Sequence, residues 1–143
     1  MVPIVITQTY IASPAEVWKA ITDPAAMHRW YFDTMENFEP RVGFETRFNV
    51  HANGKDYMHH WRVLEVIPER KLVYEWLYPD YPGQSTVSWE LQPAGNDTVL
   101  TLTHRGNESF PQDNPDFSRE SCTGGWTYFL GERLKTYLEG GTL

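Results

Sequence analysis

Along the middle of the chain, hydrophobic and polar positions alternate with the period of two expected of strands. The segments before and after it carry helix signals. Residues 3–11 mix Ile, Val, Thr and Tyr with no helix-forming run and predict a first strand. Ser13-Pro14-Ala15-Glu16 follows as a capping box with proline at the first helical position, predicting a helix to about Thr22. Asp23-Pro24 repeats the start signal for a second short helix ending near Trp30. From Glu36 onward Phe44, Thr46, Phe48 and Val50 fall on one strand face, with Glu45, Arg47 and Asn49 on the other. Asn53-Gly54 is a hairpin signal, and the strand after it, about 55–67, ends at Pro68-Glu69-Arg70-Lys71. The next strand sets Leu72, Tyr74 and Trp76 opposite Val73, Glu75 and Leu77, until Pro79-Asp80-Tyr81-Pro82-Gly83 breaks the pattern. Two more strands, about 85–92 and 98–105, flank the turn Ala94-Gly95-Asn96-Asp97. Val87, Trp89 and Leu91 share one face of the first, and Leu100, Leu102 and His104 share one face of the second.

The period changes after Gly106. A polar loop leads to a helix opened by Asn114-Pro115-Asp116 or by Ser118, in which Trp126, Leu130, Leu134, Tyr137 and Leu138 recur at helical spacing before Gly140-Gly141. A helix over about 116–138 would be roughly 30 Å long at 1.5 Å per residue, enough to lie across a whole sheet. The predicted architecture is α+β: six or seven antiparallel strands in a meander, curved around the long terminal helix, with two short helices after strand 1. No repeat or linker interrupts it, so residues 1–143 read as one domain. Phe48, Tyr74, Trp76, Trp89, Leu102 and Trp126 should be buried and Glu45, Arg47, Glu75 and Glu90 exposed, because a one-residue slip would exchange the two sets.

Composition narrows the function classes. With 41% hydrophobic and 15% aromatic residues, the 143-residue chain can build a core without disulfides or structural metal. Twelve basic against 19 acidic residues leave a net charge of −7, which argues against nucleic acid and against anionic membrane surfaces. One cysteine forms no internal disulfide, the first residues lack a secretory signal, and no apolar run approaches the roughly 20 residues of a membrane helix. A cytoplasmic location is expected.

A resemblance sharpens this reading. Ser13-Pro14-Ala15-Glu16-Val17-Trp18, then His28-Arg29-Trp30-Tyr31, then Val63-Leu64-Glu65-Val66-Ile67-Pro68 leading to Leu72-Val73-Tyr74-Glu75-Trp76, stand in a familiar order. Thr98 through Gly106, Gly125-Trp126 and Leu134-Lys135-Thr136-Tyr137-Leu138-Glu139 complete it. The set resembles the helix-grip (SRPBCC, START-like) superfamily, which includes START domains, polyketide cyclases and the birch-pollen-allergen type. Within it, the chain is similar to the branch named after the activator of the heat-shock-protein-90 ATPase. The resemblance spans nearly the whole chain and implies a sheet gripping the terminal helix. Members bind lipids or aromatic polyketides, act as cyclases or serve as co-chaperone modules, so it transfers a fold more firmly than a function. The chaperone activator has an additional amino-terminal domain, whereas this chain begins directly at the helix-grip strand.

The candidate site follows from both lines. Trp30, Phe48, Trp61, Tyr74, Trp76, Trp89, Trp126 and Phe129 lie on segments that face the space between sheet and helix. Such rings either line a concave ligand site or fill a core. Gly124-Gly125 sits inside the helix, where each glycine costs about 0.8–1.0 kcal/mol relative to alanine. Close helix–sheet approach or room for a ligand beside Trp126 would offset that. Cys122 faces the same space as a small hydrophobe. No spacing sets a carboxylate beside His104 to orient it as a base for Cys122, so no catalytic residue is assigned. His104 reads as a polar group on the pocket wall or as a core histidine satisfied by a carbonyl. His59 and Tyr74 are the other polar candidates.

His59 and His60 are adjacent on a strand and point to opposite faces, and zinc and phosphate-loop motifs are absent, so neither metal nor cofactor is expected. The paired carboxylates Glu36 and Glu39 fall in a loop. The expected function is binding of a small apolar or aromatic molecule, oriented by His104 or Tyr74. A polyketide cyclase/aromatase-like enzyme and a chaperone-associated module are the alternatives, and a homodimer is left open.

Overall fold

The computed structural model describes residues 2–143. Its six strands are β1 (Ile4–Tyr10), β2 (Glu45–Ala52), β3 (Lys55–Ile67), β4 (Lys71–Leu77), β5 (Ser85–Ala94) and β6 (Asp97–Arg105). They form one curved open sheet in the order β1-β6-β5-β4-β3-β2, every pair antiparallel. Strands β2 to β6 are a meander; β1 and β2 are its two edges, joined through α1 (Pro14–Thr22) and α2 (Pro24–Trp30).

Local chemistry explains the starts and stops. Ser13 Oγ accepts from the Glu16 N–H at 3.2 Å and Glu16 Oε1 accepts from the Ser13 N–H at 3.3 Å, the reciprocal capping box that opens α1. Asp23 opens α2 without a side-chain cap, leaving Pro24 as its start signal. At the β2–β3 turn Asn53 (φ 53°) and Gly54 (φ 77°) both sit in the left-handed region, the requirement of a two-residue hairpin loop.

The register puts Phe48 opposite His59, Trp61 opposite Trp76, Tyr74 opposite Val87 and Trp89 opposite Leu102. All lie on the sheet's inner face and are buried, as is Trp126 on the helix. Glu45, Arg47 and Glu90 are exposed on the outer face. Glu75 departs from expectation: its side chain is only 21% exposed, because Arg62 Nε donates to it at 2.8 Å and covers it. Between Val63 and Glu65 the β3–β4 register shifts, leaving Leu64 unpaired as a bulge that the alternation did not reveal.

The terminal helix differs from the expected uninterrupted α-helix over about 116–138. Asn114 caps a 3-10 turn, Pro115–Phe117, and Ser118 caps the helix proper by accepting from the Ser121 N–H at 3.1 Å. Both start signals are therefore used, for two elements. The helical path then runs as α3 (Arg119–Tyr128), a π-helical stretch (Phe129–Leu134) and α4 (Lys135–Leu138), with right-handed helical backbone at each junction. The carbonyl of Leu130 lies within the wide turns, and the buried Tyr10 hydroxyl donates to it at 2.7 Å.

Candidate functional site

The sheet and the terminal helix do not close on each other along their whole length. One cleft of about 140 Å³ lies between them, walled by Trp76 from β4, His104 from β6, and Cys122, Gly125, Trp126 and Phe129 from the helix. Phe32, Tyr78 and Asp116 complete its lining. A second cleft of about 160 Å³ adjoins it and shares Tyr78 and Asp116; His59, Tyr57, Phe117 and Ser121 are among its walls. Together they form a two-lobed groove with an apolar lobe and a more polar one.

The rings of the apolar lobe meet mostly edge to face. Trp76 and Trp126 have centroids 5.5 Å apart at 68°, and Phe32 and Phe129 lie 5.3 Å apart at 67°. Aromatic pairs favour this geometry, and it stiffens the walls. A Cβ at Gly125 or Gly124 would meet no atom within 4 Å. Close helix–sheet approach, the alternative reading of these glycines, is therefore overturned: Gly125 borders open space.

His104 has a settled role. Trp126 Nε1–H donates to its Nδ1 at 3.0 Å, so the ring proton resides on Nε2, which donates to Ser85 Oγ at 2.9 Å. The Ser85 hydroxyl in turn donates to the Trp76 carbonyl at 2.8 Å. Burial pushes the His104 pKa down to about 4, and the ring is neutral. With both nitrogens engaged, it has none free to orient a ligand. Tyr74 does not reach the groove either; its hydroxyl accepts from Trp89 Nε1 and meets the Tyr31 hydroxyl, both at 3.1 Å, inside the core. The expectation that His104 or Tyr74 orients the guest is corrected on both counts.

His59 is the contrasting case. Its Nδ1 donates to the Tyr57 carbonyl at 2.9 Å, which leaves Nε2 as an acceptor on a ring that lines the polar lobe. Desolvation lowers its pKa to about 4. The Trp76 indole N–H is buried with no hydrogen-bond partner. It partly offsets the upward pKa shift that burial imposes on the Tyr78 hydroxyl, without reaching hydrogen-bond geometry. Asp116 accepts from Asn53 Nδ2 at 2.7 Å and from the Tyr57 hydroxyl. Cys122 is a half-buried thiol whose pKa burial raises, and it has no bond to His104.

Of the candidate residues, Trp76, His104, Cys122, Gly125, Trp126 and Phe129 come together around the apolar lobe, with His59 in the polar lobe. Trp30, Phe48, Trp61, Tyr74 and Trp89 lie outside the lining, packed in the core at no more than 3% exposure. Sequence reasoning missed Phe32, Tyr78 and Asp116. Tyr78 continues the two-residue period of Leu72, Tyr74 and Trp76 and was readable in principle. Phe32 follows the end of α2 with no periodic signal, and Asp116 stood among helix-start residues. Among the described residues, no group of three His, Cys, Asp or Glu is placed to hold a metal, and no helix is long and apolar enough to cross a membrane.

Comparison with known proteins agrees with this architecture. CalU16 from Micromonospora echinospora matches with a TM-score of 0.66 and 28% identity, over 99% of this chain and 76% of its own. DynU16, a protein of the dynemicin biosynthetic locus, matches with a TM-score of 0.73 and 25% identity, over 96% of this chain and 47% of its own. The Aha1 dimer from Colwellia psychrerythraea shares the fold over 100% of both chains, with a TM-score of 0.75 and 23% identity. Among curated proteins, none matches the chain. The model of the family described as Activator of Hsp90 ATPase homolog 1-like protein matches residues 11–139, nearly the full length, and the chain belongs to that family.

Proposed function

We propose that the protein binds a small apolar or aromatic molecule in the groove between the sheet and the terminal helix. The observation that carries this reading is the apolar lobe itself: a cleft of about 140 Å³ with Trp76, Trp126, Phe32 and Phe129 as walls and open space at Gly125. A guest burying about 300 Å² of apolar surface at about 25 cal/mol per Å² gains about 7.5 kcal/mol, which sets a micromolar ceiling that association costs of at least about 4 kcal/mol lower to the millimolar range. Binding is favoured over catalysis because no lining base is oriented by a carboxylate: His104 is held between Ser85 and Trp126, and His59 by a backbone carbonyl. We take the whole chain as one domain, working in the cytoplasm. The dimer solved for Aha1 makes self-association part of the same proposal.

The test is an aromatic and aliphatic ligand screen read by tryptophan fluorescence and melting temperature. A guest beside Trp76 and Trp126 should quench or shift emission. Gly125→Leu should weaken it at least about tenfold by filling the lobe, since a lost apolar burial of about 1.4 kcal/mol already gives that factor. The outer-face change Glu90→Gln should leave affinity unaltered. A screen in which nothing moves either signal overturns the reading.

A further inference from the structure

Granting that the groove binds a small apolar guest, we infer that the guest is an uncharged molecule bearing a hydroxyl group, a phenol or an alcohol, and that carboxylates are rejected. The polar atoms around the groove carry this. Among the described residues, the one charged side chain in the lining of either lobe is Asp116, common to both, and no Lys or Arg lines them. Asp116 accepts on both oxygens, from Asn53 Nδ2 and from the Tyr57 hydroxyl. Burial keeps the two lining histidines neutral. A carboxylate guest would thus sit near a fixed negative charge with no counter-cation, in a site that screens poorly.

Two neighbouring rings carry unmet hydrogen-bonding groups. Trp76, 6% exposed, has an indole N–H with no acceptor, and leaving such a donor buried and unpaired is unfavourable. His59, 5% exposed, has Nε2 free as an acceptor once Nδ1 is bound to Tyr57. Their ring centres are 5.3 Å apart, and the Tyr78 ring lies 4.8 Å from His59. A hydroxyl accepts from one and donates to the other. A hydrocarbon answers neither, a carboxylate answers only the donor, and an ammonium answers only the acceptor.

Four probes on one ring system separate these cases: 2-naphthol, naphthalene, 2-naphthoate and 2-naphthylmethylammonium, titrated calorimetrically at pH 7.5. We expect 2-naphthol to bind about five- to tenfold tighter than naphthalene, the gain of one or two net hydrogen bonds. It should bind at least about tenfold tighter than 2-naphthoate. His59→Phe should abolish the naphthol advantage while leaving naphthalene affinity in place. A phenyl ring fits where His59 already stacks on Phe48 at 5.1 Å, so unchanged naphthalene binding reports an intact groove. Asp116→Asn should narrow the gap between naphthol and naphthoate. The inference is overturned if naphthoate or the ammonium binds as tightly as naphthol, or if His59→Phe leaves the preference intact. If none of the four binds, the binding reading falls with it.

Discussion

His104 owes its properties to neighbours far away in sequence. Ser85 is 19 residues before it and Trp126 is 22 after it, yet their bonds fix its tautomer, while burial holds it neutral. The two-residue alternation of β6 shows that His104 points inward, but only the β5–β6 register, with Val87 opposite His104, brings Ser85 alongside. Which polar group satisfies a buried histidine is a long-range fact, and local pattern cannot carry it. The expected carbonyl partner turned out to be a hydroxyl that relays to a carbonyl. Ser85→Ala should therefore cost about 1–3 kcal/mol, because it strips the Nε2–H of its buried acceptor and removes a donor to the Trp76 carbonyl. Chemical denaturation checks this: the midpoint should fall with the slope unchanged. A midpoint like the parent's would mean that water replaces the hydroxyl. His59 was placed and Tyr78, though missed, was legible, since each lies on a regular inward period, whereas Phe32 and Asp116 sit where no period runs.

The terminal helix shows which parts of an element are legible from pattern. Its existence, its Ser118 cap and its apolar stripe were all readable. Its widened turns were not expected, although a signal was present. Trp126, Leu130 and Leu134 stand at strict four-residue spacing, and four residues of α-helix turn through about 400°, so such a stripe drifts by about 40° per step. The π-helical stretch winds back that drift, and all three side chains are buried. The Leu130 carbonyl in this stretch accepts from Tyr10, which lies 120 residues away in sequence. Tyr10→Phe removes that donor while keeping the ring. The expected result is a loss of about 0.5–1.5 kcal/mol, as for a typical intramolecular hydrogen bond removed. Faster amide hydrogen exchange over residues 129–135 than over β5 should accompany it. Uniform acceleration throughout the chain would mean that Tyr10 acts only through global stability. The Leu64 bulge was hidden for a different reason: apolar residues run without interruption from Val63 to Leu64, and only the partner strand reveals where the register slips.

The arrangement of the whole molecule sets its response to acid. Two imidazoles, His59 and His104, are enclosed between sheet and helix, and burial lowers both from 6.5 to about 4. The unfolded chain binds protons on these rings at pH values where the folded one does not. Between about pH 6.5 and pH 4, stability therefore rises with pH. Their contribution is complete above the unfolded value of 6.5 and is lost progressively as pH falls toward 4. At about 1.36 kcal/mol per unit, each histidine contributes up to about 3 kcal/mol across that window. Carboxylates with lowered pKa act in a lower window: Glu139, which accepts from the Ile11 N–H and from Lys135, loses its contribution only below the ordinary carboxylate range. The melting temperature should accordingly be flat above about pH 7 and decline steadily from 6.5 to 4, with a further fall below that. His59→Phe removes one of the two rings and should roughly halve the slope between pH 6 and 4.5, even if it changes stability at neutral pH. A slope unaffected by that substitution would show that His59 is already protonated, or solvated, in the folded protein. Such a result would also remove the neutral acceptor from the polar lobe.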